Sequence, residues 1–142
     1  MMVPLSSGRY ATIRLRPGED PLAALRALQR RIGAPAMALV TCVGSLTRAM
    51  IRHANRPEGT CHQGHFEITA LTGTIDPAGQ HLHLTIADGE GRAFGGHLLP
   101  GSAVHTTAEI VVLILDDLTF SRAPCPLSGH DELVIRPAAG QE

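Results

Sequence analysis

The sequence predicts an α+β domain, a mainly antiparallel sheet packed with one principal N-terminal helix, and three observations carry that prediction. Only the stretch from Leu22 to Ile32 repeats its apolar residues at helical spacing. Most of the remaining chain is made of short apolar or alternating runs separated by Asp-Pro, Asp-Gly and Pro-Gly turns, the pattern of antiparallel strands. With 142 residues, 44% hydrophobic and 18% charged, the chain has the size and balance of one core. Residues 1–142 are therefore read as a single domain with its core at about 10–137.

Tyr10 to Leu15 alternates as a first strand, and Pro17-Gly-Glu-Asp-Pro21 then supplies a turn, an N-cap at Asp20 and a proline at the first helical position. Leu22, Leu25, Leu28 and Ile32 form one face of the helix that follows, Arg26, Arg30 and Arg31 face elsewhere, and Gly33 with Pro35 ends it. Ala36 to Val43 reads as a buried strand, interrupted at Gly44-Ser45 before a neighbouring strand resumes at Ala49. Asn55 to Gly64 turns polar and reads as a surface loop ending at Phe66. Phe66 to Thr74, His81 to Ala87, Arg92 to Leu98 and Glu109 to Phe120 follow as strands, with a last short one from Glu132 to Arg136.

The overall charge argues against a dedicated nucleic-acid binder. The formal net charge is −1, and affinity for nucleic acid rests largely on neutralising phosphates. All twelve basic residues are arginine, which suits two-pronged anion contacts but fits a genomic composition bias as well. Cys42, Cys61 and Cys125 are widely spaced with no Cys-x-x-Cys pair, and no N-terminal signal pattern precedes them, so a cytoplasmic protein with reduced thiols is expected. No apolar run approaches the ~20 residues of a membrane span.

Histidines are concentrated in one candidate hairpin. Residues two apart on a strand share a face, so His81 and His83 point together while Leu82 and Leu84 take the other side. If Gly89-Glu90-Gly91 is the hairpin loop, His83 stands opposite His97, and three imidazoles converge. Three histidines with one open position is the arrangement of a catalytic or exchangeable zinc site, and Gly95-Gly96 leaves room beside the third ligand. A one-residue slip in register would turn His97 away. Spacing alone leaves both a metal site and an exposed polar strand face open.

Other candidates are weaker. Cys61-His62-Gln-Gly-His65, with His53 nearby in sequence, matches no common zinc spacing and reads as a polar loop. His105 and His130 adjoin turns and read as surface residues, and Ser121 and Ser128 have no recognisable nucleophile setting. Glu67 and Glu109 each open a strand; either would serve as a partner to a ligand or as a general base beside a metal, or simply cap an element or pair with an arginine. No glycine-rich phosphate or dinucleotide loop is present.

The ordered motifs Gly44-Ser-Leu46, Gly64-His-Phe-Glu-Ile68, Leu71-Thr-Gly-Thr-Ile75, His81-Leu-His-Leu84, Gly95-Gly-His-Leu98, Thr106-Thr-Ala-Glu-Ile110 and Asp131-Glu-Leu133 together resemble the PPC domain of plants and prokaryotes. The resemblance covers nearly the whole chain. It implies a compact α+β domain that assembles as a homotrimer, and in some bacterial and archaeal members a metal held at the positions of His81, His83 and His97, with zinc the expected ion. It also implies a DNA-binding or regulatory role, chiefly because plant members join the domain to an Arg-Gly-Arg-Pro AT-hook, and no such segment occurs in these residues. The family's Gly-Arg-Phe-Glu-Ile motif has His65 in place of arginine. Three functions follow as expectations: a homotrimeric metal-binding domain with a DNA-binding or regulatory role, a metal-dependent enzyme of unknown substrate that uses the open metal position, or an assembly module without DNA binding or catalysis.

Overall fold

In the computed structural model, which describes residues 3–139, the helix and its caps follow from local chemistry. Helix α1 (Pro21–Ile32) starts where Asp20 Oδ1 accepts the Leu22 amide at 3.0 Å and ends at Gly33 in the left-handed region. The other Asp20 oxygen accepts the Gly101 amide at 2.8 Å, so one carboxylate fixes both the helix start and a distant turn. Leu22 and Leu25 are buried as the spacing predicts, whereas Leu28 and Ile32 are only partly covered. Gln29 is buried instead, because its Nε2 donates to the Ala34 carbonyl at 2.9 Å and so loses no hydrogen bond inside.

Among the described residues eight strands accompany the helix: β1 (Gly8–Leu15), β2 (Met37–Arg52), β3 (Thr60–Ile75), β4 (Gln80–Ala87), β5 (Ala93–Leu98), β6 (Ala103–Leu115), β7 (Leu118–Pro124) and β8 (Asp131–Pro137). Six form one antiparallel sheet in the order β1-β6-β2-β3-β4-β5, and β7 with β8 makes a separate ribbon. The far edge of the sheet returns on itself, since β5 also pairs with β2 through Ile51 with Leu98 and Arg52 with His97. That closure puts strands β2 to β5 around one apolar interior, filled by Leu46, Ile51, Ile75, Leu82, Leu84 and Ile86.

Three boundaries differ from the sequence reading, each for a physical reason. Gly44 does not break β2: a Cβ there would lie 2.1 Å from the Thr107 carbonyl oxygen, so the glycine permits close approach of β6 along one continuous strand. Strand β3 begins at Thr60, ahead of Phe66; its early residues are polar because their own side chains are mostly exposed, although they pair with β2, Cys61 opposite Met50 and His62 opposite the buried Ala49. The predicted strand from Glu109 to Phe120 is two strands, separated at Asp116-Asp117. Arg9 grips Asp116 at 2.7 Å, and the Ser7 amide and hydroxyl both donate to Asp117 at 2.6 Å, which stabilises the turn.

Candidate metal centre

Strand β4 reads in alternation, Leu82, Leu84 and Ile86 buried and His81 and His83 outside. The β4–β5 register pairs His83 directly with His97, as the hairpin reading required. All three histidines therefore share one face. His81 Nε2 and His83 Nε2 are 3.1 Å apart, the ring centroids lie 4.9 to 5.9 Å from one another, and one ring nitrogen of each residue falls within 4.8 Å of the others. Tetrahedral zinc with Zn–N bonds of ~2.0–2.1 Å needs N···N edges of about 3.3 Å, so the His81–His83 edge is already near that size.

The protonation chemistry points the same way. His81 is held below the usual imidazole range by burial, then by His83, Arg122 and Arg52, with Glu132 opposing. His97 is lowered by burial, then by Arg52, His81 and His83. Neutral imidazole is the ligating form. His97 Nδ1 is also buried without a hydrogen-bond partner, a vacant lone pair or an unused N–H in a region where such groups are normally satisfied. The donor set fits a divalent transition metal such as zinc, with room left in the coordination sphere.

Gly95 and Gly96 act on the backbone more than on the ligand space. A Cβ at Gly95 would meet the Leu84 carbonyl oxygen at 2.2 Å, and one at Gly96 would meet the Arg52 carbonyl oxygen at 2.5 Å. Two successive glycines thus let β5 lie close to β4 on one side and to β2 on the other, which places His97 beside both His83 and Arg52. Gly95→Ala is expected to lose about 1–3 kcal/mol of stability, the range for overpacking against fixed atoms. Unchanged thermal unfolding of this variant would refute the close-approach account.

His130 lines a cavity with His81 and His97, and the other histidines pair among themselves. His53 Nδ1 lies 3.0 Å from the Gly95 carbonyl, which can only accept, so Nδ1 donates there, and His53 Nε2 lies 3.0 Å from His62 Nε2. Burial, then His53, lower His62, and the pair braces β5 through the Gly95 carbonyl. His65 packs against His105 in a tilted arrangement at a centroid distance of 4.6 Å. Among the described residues, only His81, His83 and His97 form a group of three or more donors close enough to share an ion.

Neither carboxylate singled out from sequence reaches these histidines. Glu67 is exposed and registers with Ala87, four positions along β4 from His83, while Glu109 is exposed on β6 opposite Arg14 and Val43. The acidic residues beside His81 and His97 are Asp131 and Glu132, which line the same cavity with His130. Their position depends on how the β7–β8 ribbon folds back, and the local signal is only a polar cluster of His-Asp-Glu at a strand start.

The fold and site define a small α+β domain carrying a histidine-lined candidate metal centre. The model of the Plants and Prokaryotes Conserved (PCC) domain matches residues 2–116, and the chain belongs to that family. A curated relative, the Bifunctional protein GlmU of Synechococcus sp. (strain JA-2-3B'a(2-13)), is 41% identical over 97% of this chain. The chain spans only 22% of that relative's length. Among solved structures, a hypothetical protein from Salmonella cholerae-suis is 40% identical with a TM-score of 0.93, covering 94% of this chain and 97% of that one. A metal-containing protein from Archaeoglobus fulgidus has a TM-score of 0.75 at 22% identity, with 94% and 99% of the two chains covered. A protein from Bacteroides thetaiotaomicron, described provisionally as DNA-binding, has the same TM-score and identity, with 92% and 98% covered. At 22% identity these last two likenesses speak for the fold alone.

Proposed function

We propose that this chain is a homotrimeric metal-binding domain that holds one divalent ion, with zinc preferred, through His81, His83 and His97. The convergence of three ring nitrogens within 4.8 Å on one sheet face is the observation that carries the reading. The Archaeoglobus fulgidus neighbour, a metal-containing protein, adds support. When bound with an open position, such an ion supplies Lewis acidity to a ligand oxygen. This chain's own residues fix the three donors, hold His81 and His97 toward the neutral form and frame the approach with Arg52 and Glu132.

The trimer rests on a different surface. Tyr10 and Val43 are 69% and 58% exposed, and Tyr10 registers with Leu113 as Val43 does with Glu109. The outer face of β1, β6 and β2 thus carries large apolar side chains that self-association would cover. A DNA-binding or regulatory role is carried by the family resemblance and by the Bacteroides thetaiotaomicron neighbour, and a net charge of −1 speaks against it as the domain's main activity. A cytoplasmic location remains part of the proposal; no helix among the described residues is long and apolar enough to cross a membrane.

Elemental analysis of purified protein tests the central claim, with about one zinc per chain expected after dialysis against zinc and removal of excess. Protein that retains no stoichiometric metal would remove it. Light scattering on the same sample should return the mass of three chains, and a monomer mass would remove the trimer.

A further inference from the structure

We propose that the cavity beside His81 and His97 binds a small oxyanion, a carboxylate or a phosphate, held between Arg52, Arg122 and the open coordination position of the histidine-bound ion. This rests on the metal reading above and names the ligand class of the same site. The cavity is about 370 Å³, and its lining brings together Arg52, Gln80, His81, His97, Arg122 and Glu132. That is the size of a small-molecule site.

The two arginines differ in a way that fits the role. Arg122 is held rigidly: its Nε donates to Asp76 Oδ2 at 2.9 Å and its Nη2 to Thr74 Oγ1 at 3.2 Å, with the side chain only 15% exposed. Its Nη1 has no protein acceptor among the described residues. Arg52 is half-buried, stands opposite His97 in the β2–β5 pairing, and its side chain makes no hydrogen bond or ion pair among the described residues. A guanidinium with all its donors free beside a three-histidine cluster matches an anionic oxygen by charge and by geometry.

Two further features shape the ligand. Gln80 Oε1 and His97 Nδ1 are buried atoms with no hydrogen-bond partner, and both residues belong to the same lining. An anionic oxygen can accept from His97 where Nδ1 carries the proton, whereas Gln80 Oε1 only accepts and calls for an N–H or O–H donor on the remainder of the ligand. Asp131 and Glu132 are exposed, and they line the same cavity. Their charge repels a second acidic group, so the ligand class is one anionic head with a neutral or cationic remainder. The family model stops at residue 116, whereas Arg122, Asp131 and Glu132 lie beyond it, so these contributions belong to the β7–β8 ribbon.

Cobalt(II) can stand in for zinc and reports its coordination through visible absorption. The full chain is loaded with cobalt, its metal content is measured, and acetate and inorganic phosphate are titrated separately in a non-coordinating buffer. Saturable spectral change with at least one anion is expected, and the tighter of the two identifies the head group. Arg52→Gln, which breaks no side-chain hydrogen bond or ion pair among the described residues, should keep stoichiometric cobalt while weakening the anion about tenfold or more. Arg122→Lys, which preserves the charge beside Asp76, should weaken it as well. Stoichiometric cobalt whose spectrum ignores both anions, or an Arg52→Gln protein with unchanged anion affinity, would overturn the oxyanion site and leave the metal reading standing. Failure to bind cobalt would overturn both.

Discussion

Replacing Arg122 with alanine is expected to destabilise the domain by about 3–5 kcal/mol, the cost of removing one partner from a buried ion pair. Asp76 is 0% exposed, and its carboxylate is shared between the backbone amides of Ala78 and Gly79 at 2.9 and 2.8 Å and the Arg122 guanidinium at 2.9 Å. Without Arg122 the charge stays inside with two backbone donors and no cation. The same pair ties the ribbon to the turn between β3 and β4, which a surface salt bridge of ordinary value would not do. Urea unfolding should show a lower midpoint with an unchanged slope. The double variant Asp76→Asn/Arg122→Met should recover part of the loss, because no buried charge is then left without its partner. An Arg122→Ala protein that unfolds at the wild-type midpoint would contradict this account.

That ion pair also marks where sequence reasoning runs out. Asp76-Pro-Ala-Gly79 announces a turn, and the turn is there, with Asp76 accepting from the amides that follow it. Nothing in the order of residues says that Arg122, forty-six positions later, comes back to meet it. Local signals of period and cap were enough for the helix, for β4, β5 and β8, and for the His83–His97 pairing. They failed where pairing carries a strand into polar sequence: the start of β3 is mostly exposed, yet it pairs with the end of β2, where Ala49 and Ile51 are buried. They also failed at Gly44, where the glycine serves a close strand contact that a one-dimensional reading takes for a break. The histidine cluster was legible because it is local to one hairpin, whereas Arg52, Arg122 and Glu132 reach it through strand closure and ribbon docking.

Replacing His83 with alanine is expected to lower metal affinity by more than about 100-fold, since mutating groups that merely orient a ligand already costs about 10- to 100-fold. The expected effect on the metal-free fold is small, within about 0.5 kcal/mol, as for other exposed positions without a structural task. The alternation along β4 separates these outcomes: His83 is exposed, while the flanking Leu82 and Leu84 are buried in the core. Leu82→Ala supplies the contrast, with a loss of about 2–5 kcal/mol from the transfer and cavity terms, present with or without metal. Zinc should raise the wild-type unfolding temperature in proportion to the logarithm of its free concentration, because it binds the folded chain. That rise should disappear in His83→Ala and persist in Leu82→Ala from a lower baseline. Competition against a chromophoric chelator measures the affinity directly. If His83→Ala competes as well as wild type, then His83 is a polar residue on a strand face and the convergence of the three rings has no bearing on metal binding.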